Sequence, residues 1–132
     1  MMVLANFRVY GLPAPQGSKR SIGNNRFIES SKKLPAWRKA IEDTVRREYQ
    51  GEPIDQPVIV RADFFVPRPK NPRFDVPATP ADTDKLQRAL GDGLEKGGVL
   101  KNDSRIVRWE AQKHYATDDE PTGVKVEILE MK

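Results

Sequence analysis

The sequence has no cysteine, a single histidine, and no apolar run long enough to cross a bilayer. The first absence excludes disulfides and thiolate metal sites and leaves the redox compartment open. The second leaves His114 as the sole imidazole, read here as a structural group or phosphate contact rather than a general base. The third, with an N-terminus (MMVLANFRVYG) that lacks a charged leader region, predicts neither signal peptide nor membrane span, so a cytoplasmic protein is expected. Internal repeats and long linkers are absent too, and residues 1–132 are expected to form one domain. With 37% hydrophobic and 32% charged residues, the chain reads as soluble and globular with a modest core. Homodimerisation would be one way to bury more surface.

Net charge is +4, unevenly spread. Residues 1–50 hold ten Lys/Arg against four acids, and residues 51–132 hold thirteen against fifteen. Such a basic N-terminal half suits a polyanion, although a merely solvated lysine-rich surface gives the same count. Phe7-Arg8-Val9-Tyr10 alternates like a half-buried strand before Gly11. Residues 13–20 form a loop ending in Lys19-Arg20, and Gly23-Asn24-Asn25 predicts a small hairpin that would bring Arg20 and Arg26 near each other. Pro35 opens a helix whose Trp37, Ile41, Val45 and Tyr49 share one face, so Trp37 reads as a core anchor before a base-stacking platform. Val58–Val66 is the strongest strand, with a continuous apolar start that suits a central position. The proline-rich segment from Pro67 to Arg73 leaves the sheet as a loop, open to phosphate contact or to disorder. A second helix is predicted over residues 84–96, then strands over 106–115 and 124–129 that would pair as a hairpin. The fold class is therefore α+β, a small mixed sheet with two helices on one face.

The densest chemistry lies between Thr79 and Asp103, TPADTDKLQRALGDGLEKGGVLKND. Asp82 and Asp84 precede a helix whose apolar face carries Leu86, Ala89, Leu90, Gly93 and Leu94. Asp84 lies about 160° from Leu86 and so faces away from the core, with Arg88 one turn further on the same side. Taken locally, these acids read equally as helix caps and an i,i+4 ion pair. Asp103 follows a Gly97-Gly98 break that would fold the chain back towards the helix start. Three carboxylates of this kind suit a hard divalent cation, while Lys85 and Arg88 supply positive charge for a phosphodiester.

The stretch also resembles the RusA family of Holliday-junction resolvases. That family's pattern approximates P-D-x-D-(N/K)-L-x-(K/R)-A-L-x-D-x-L, a glycine-containing turn, then D-D-x-x-(I/V). Matching it are Ala81 to Leu94, Gly97-Gly98-Val99, and Asn102-Asp103-Ser104-Arg105-Ile106. The Gly11–Arg20 loop, Pro67-Arg68-Pro69, and Lys113 with Tyr115 agree as well. The resemblance implies a RusA-like homodimeric endonuclease, largely of phage or prophage origin, that uses Mg²⁺ (or Mn²⁺) on four-way DNA. It assigns metal binding and catalysis to Asp82, Asp84 and Asp103. Arg88 takes the place of a functional lysine; being always charged, it suits phosphate holding rather than proton transfer. Asp92 is expected to be a structural partner of Arg88, and Asn102 stands where the family carries another acid. Lys19, Arg20, Arg26, Lys85 and Lys113 are the expected phosphate contacts. Flaps and forks are further candidate substrates. A second reading keeps the fold without catalysis, as a branched-DNA-binding or packaging-accessory module, supported by Asn102 and Arg88.

Overall fold

A computed structural model describes the backbone of residues 2–17, 19–23, 26–29 and 32–131, and the side chains of 2–17 and 32–131. Its main sheet has four strands in the order β1-β6-β4-β5. These are β1 (Val3–Tyr10), β4 (Val58–Val66), β5 (Ile106–Tyr115) and β6 (Gly123–Glu130); β2 (Lys19–Gly23) and β3 (Arg26–Glu29) make a separate antiparallel ribbon. The helices are α1 (Leu34–Glu48) and α2 (Thr83–Lys96). The class is α+β, with a mixed sheet and two helices.

Strand β4 is central because it is apolar on both faces. Val58, Val60, Ala62 and Phe64 join the main core, and Ile59 and Phe65 are buried on the other side. It pairs in parallel with β5 and antiparallel with β6, and β6 in turn pairs with β1. The expected β5–β6 hairpin is thus corrected, for β4 lies between them. The reason is α2, which connects β4 to β5: a helical crossover returns the next strand parallel to the first. On the other side of β4, β6 buries Val124, Val126 and Ile128 and accepts β1.

Both helices pack on the face carrying Val60 and Phe64. Trp37, Ile41 and Val45 of α1 are buried, so Trp37 is a core anchor; Tyr49 caps that helix and donates its hydroxyl to Glu52 O at 2.5 Å. Leu86, Ala89, Leu90 and Leu94 of α2 are buried as their spacing requires. Two glycines one turn apart let the helices approach closely. A Cβ on Gly93 would stand 2.6 Å from Ile41 Cγ2, and one on Gly97 would collide with Val45 Cγ2. No helix among the described residues is long and apolar enough to cross a membrane.

Candidate active site

The outward stripe of α2 follows from its phase. Asp84, Gln87, Arg88 and Gly91 are spaced i, i+3, i+4 and i+7 and line one open cleft of about 220 Å³. The opposite wall is Asp103 with Ile106 and Trp109. Trp109 faces the helix because β5 slips register at its start: Val58 pairs with Ile106, but Ile59 pairs with Arg108. The extra residue turns Ile106 and Trp109 to the same side, as a bulge does. Gly91 keeps the cleft open, with a Cβ there 3.6 Å from Trp109 Cζ2 and 3.8 Å from Asp103 Cβ.

Asp103 begins a 3-10 turn (Asp103–Arg105). Its amide donates to Glu95 Oε1 of α2 at 2.7 Å, and Asn102 Oδ1 accepts from Ser104 N at 2.8 Å. Asn102 therefore caps the turn that presents Asp103. Arg105 Nε fastens the same turn to Asp55 Oδ1 at 2.7 Å. After the break at Gly97-Gly98 the chain comes back along α2, with Asp103 beside Gly91 and Glu95 and lining the same cleft as Asp84 near the helix start.

Asp82 is the N-cap residue of α2, yet its side chain makes no capping bond. Its carbonyl accepts from Leu86 N at 3.1 Å, its exposed carboxylate lies 3.8 Å from Lys85 Nζ, and it does not line the cleft. Residues i and i+2 on a helix project to different sides, which separates Asp82 from Asp84 although they are near neighbours in sequence. Among the described residues, no group of three His, Cys, Asp or Glu is placed to hold a metal together. Asp84 and Asp103 are brought to one cleft; Asp82 stands outside it.

The cap-and-ion-pair reading is not what the side chains do. Asp84 and Arg88 share the cleft without an ion pair between them, and Asp92 pairs with Arg38 of α1 (2.5 Å) rather than with Arg88. That expectation for Asp92 is corrected by helix packing, since α1 lies on its side of α2. Arg88 stays exposed, with the loop after β1 coming against its guanidinium. Gly17 has a φ of +99°, and a Cβ there would collide with Arg88 Nη1. The loop is held by Gln16, whose amide donates to Lys85 O at 3.1 Å and whose Oε1 accepts from Arg38 Nη1 at 3.0 Å.

Residues 11–129 match the family model described as endodeoxyribonuclease RusA. The chain belongs to the RusA endodeoxyribonuclease family. It is also similar to a protein of Aquifex aeolicus (strain VF5) named crossover junction endodeoxyribonuclease RusA, 22% identical over 115 residues, or 87% of this chain and 84% of that one. The cleft, the α2 stripe and the loop after β1 all lie inside the span matched to RusA.

Of the expected phosphate contacts, Lys19, Arg20 and Arg26 fall in the β2–β3 ribbon, where Arg20 registers with Ile28 and Arg26 with Gly23; their side chains lie outside the described residues. Lys85 approaches Asp82, and Lys113 Nζ donates to Thr79 O (2.8 Å) and Ala81 O (2.9 Å). Lys113 thus ties β5 to the segment just before Asp82. His114 Nε2 lies 2.8 Å from Asp63 Oδ1, and its ring stacks on Phe65, a structural setting on the sheet's other face.

Sequence reasoning passed over Gln87, Gly91, Glu95 and Trp109. The first two could have been found by continuing the i+3, i+4, i+7 series from Asp84. Trp109 depends on a register slip that has no local sequence signature.

Proposed function

We propose that this protein is a metal-dependent endonuclease that resolves four-way DNA junctions by paired nicks, with the cleft of Asp84, Arg88 and Asp103 as its catalytic site. The observation that carries the reading is the meeting of those three side chains in one cleft within the span matched to RusA. Arranged this way, two carboxylates and the Gln87 amide present oxygen donors without sulfur or imidazole, a set that suits a hard cation. Mg²⁺, or Mn²⁺ in its place, would be held by Asp84 and Asp103. Asp82 stands outside the cleft, and its exposed carboxylate, bound by no cap bond, would join them as third acid by turning towards the metal. When bound, the metal supplies Lewis-acid polarisation of the phosphate and an activated water.

The chain's own residues do the rest. Arg88 holds the phosphate as a fixed cation, since guanidinium does not give up its proton at working pH. Glu95 and Asn102 set the turn that aims Asp103, and Lys113 sets the segment that carries Asp82. Ile106 and Trp109 wall the cleft against bulk water on the sheet side. A two-fold homodimer would present one such site to each of two opposing junction strands.

A labelled four-way junction tests this directly. Symmetric nicks in two opposing arms, dependent on added Mg²⁺ and absent with linear duplex, are the expected result. Retardation of the junction without nicking across Mg²⁺, Mn²⁺ and Ca²⁺ would instead mark a binding module.

A further inference from the structure

The cations of this protein sort by whether a carboxylate already neutralises them. On the sheet face away from the helices they are paired: Arg61 and Arg108 with Glu110, at 2.6 and 2.7 Å, and Lys125 with Glu120. The outer side of α1 behaves alike, with Lys39 on Asp43 at 2.6 Å. Lys33 and Arg68, like Lys32, Lys70, Arg88 and Lys101, have no side-chain ion pair or hydrogen bond among the described residues; what sets these two apart is where they stand. Both line the same cleft, of about 380 Å³, where the start of α1 faces the proline-rich loop after β4.

Among the described residues, no carboxylate lines that cleft. Its walls are largely apolar, with Leu12, Pro67, Pro69, Leu86 and Tyr115 among the lining residues. Of its other polar side chains among the described residues, Lys113 is bonded to two carbonyls and the Tyr115 hydroxyl to Phe74 O at 3.1 Å, which leaves the Thr79 hydroxyl. The volume is in the range of small-molecule sites. Ala81 and Leu86 line it and bracket Asp82 to Lys85, so the cleft adjoins the first turn of α2 on the side away from Asp84.

We propose that this cleft receives one unstacked nucleotide of the substrate strand, its base against the Leu12, proline and Tyr115 walls and its phosphate on Lys33 and Arg68. An apolar body carrying a negative charge matches a lining with free cations and no acid. Stacking on such walls accepts any base, because every base has a π-face. With Lys113 and Tyr115 already bonded, the Thr79 hydroxyl is left among the described side chains to read a base edge. One hydroxyl, donor and acceptor alike, distinguishes bases poorly, so the cleft selects for structure rather than sequence. Removing a base from an intact duplex costs a few kcal/mol, whereas a branch point offers it at less cost. The cleft therefore favours branched over linear DNA. The inference deepens the endonuclease reading and rests on it for the choice of DNA as ligand.

Binding of the full-length protein to a four-way junction, measured without divalent metal so that no cleavage occurs, tests it. An abasic site is placed in turn at each nucleotide flanking the branch point. The cleft predicts a loss of affinity of about fivefold or more at one position of each equivalent strand. In the Leu12→Trp variant, which fills the cleft, that loss disappears while the melting temperature stays at the wild-type value. Lys33→Gln with Arg68→Gln lowers the slope of log affinity against log salt by about 0.9, the one phosphate that the two cations share. The proposal is overturned if no abasic position weakens binding, if the loss is equal in Leu12→Trp, or if the double variant keeps the wild-type slope. An absence of nicking with every metal would defeat the endonuclease reading alone, since these binding measurements do not depend on cleavage.

Discussion

Asn102 occupies a place where an acid was expected, and its side chain has structural work there: it caps the turn that begins with Asp103. Aspartate has the same acceptor geometry at a cap, whereas alanine has none. Asn102→Asp is therefore expected to keep stability and nicking close to wild type. Asn102→Ala should cost about 1 kcal/mol, or roughly 3–5 °C in melting temperature for a domain of this size. A calorimetric scan of the two variants checks both values. Gly17 poses a similar single-residue test. Its left-handed backbone and its closeness to Arg88 mean that Gly17→Ala must push the guanidinium aside. Cleavage should fall by about tenfold or more in single-turnover assays, while the melting temperature falls by only a few degrees.

At the scale of elements, α2 is where reading the sequence succeeded most and where its limit is clearest. Its apolar stripe was legible from period alone, as were β4 and the Trp37 face of α1, because these patterns are local. Its active face was half legible: Asp84 and Arg88 were placed, but Gln87 and Gly91 were not. The pairing of β5 with β4 rather than β6 was not legible, since strand order depends on crossovers that no local window contains. The Trp109 wall and the coming together of Asp103 with Asp84 follow from that order. Two tests belong here. Gly91→Ala fits at ordinary contact distances and should gain about 0.5–1 kcal/mol from helix propensity, whereas Gly91→Phe should fill the cleft and stop cleavage. Lys113→Met should raise the Mg²⁺ concentration needed for half-maximal cleavage by about 10–100-fold, because it releases the segment before Asp82. It should leave the salt slope of junction binding unchanged; a drop near 0.9 would make Lys113 a phosphate contact instead.

The whole molecule has two faces of different character. On the open sheet face, charges are mutually neutralised. Arg61 on β4 holds the Glu110 carboxyl of the neighbouring β5 below the ordinary glutamate range by hydrogen bonding, and Lys125 does the same for Glu120. A carboxyl with a lowered folded pKa stabilises above its unfolded value, about 4.3 for glutamate, and loses that contribution as pH falls through the folded value. Stability should hold from neutral pH down to about 4.3 and then decline, with the decline reduced in Glu110→Gln. On the other face lie the acidic cleft and the cleft of Lys33 and Arg68. The central claim is that Asp84 and Asp103 act together at one phosphodiester. Single-turnover nicking of a labelled four-way junction by Asp84→Asn and Asp103→Asn measures it, alongside junction affinity. Loss of a direct metal donor should exceed the 10–100-fold typical of outer-shell changes, so each variant should nick at least about a hundredfold more slowly while binding the junction as wild type does. Nicking at the wild-type rate by either variant would contradict the account.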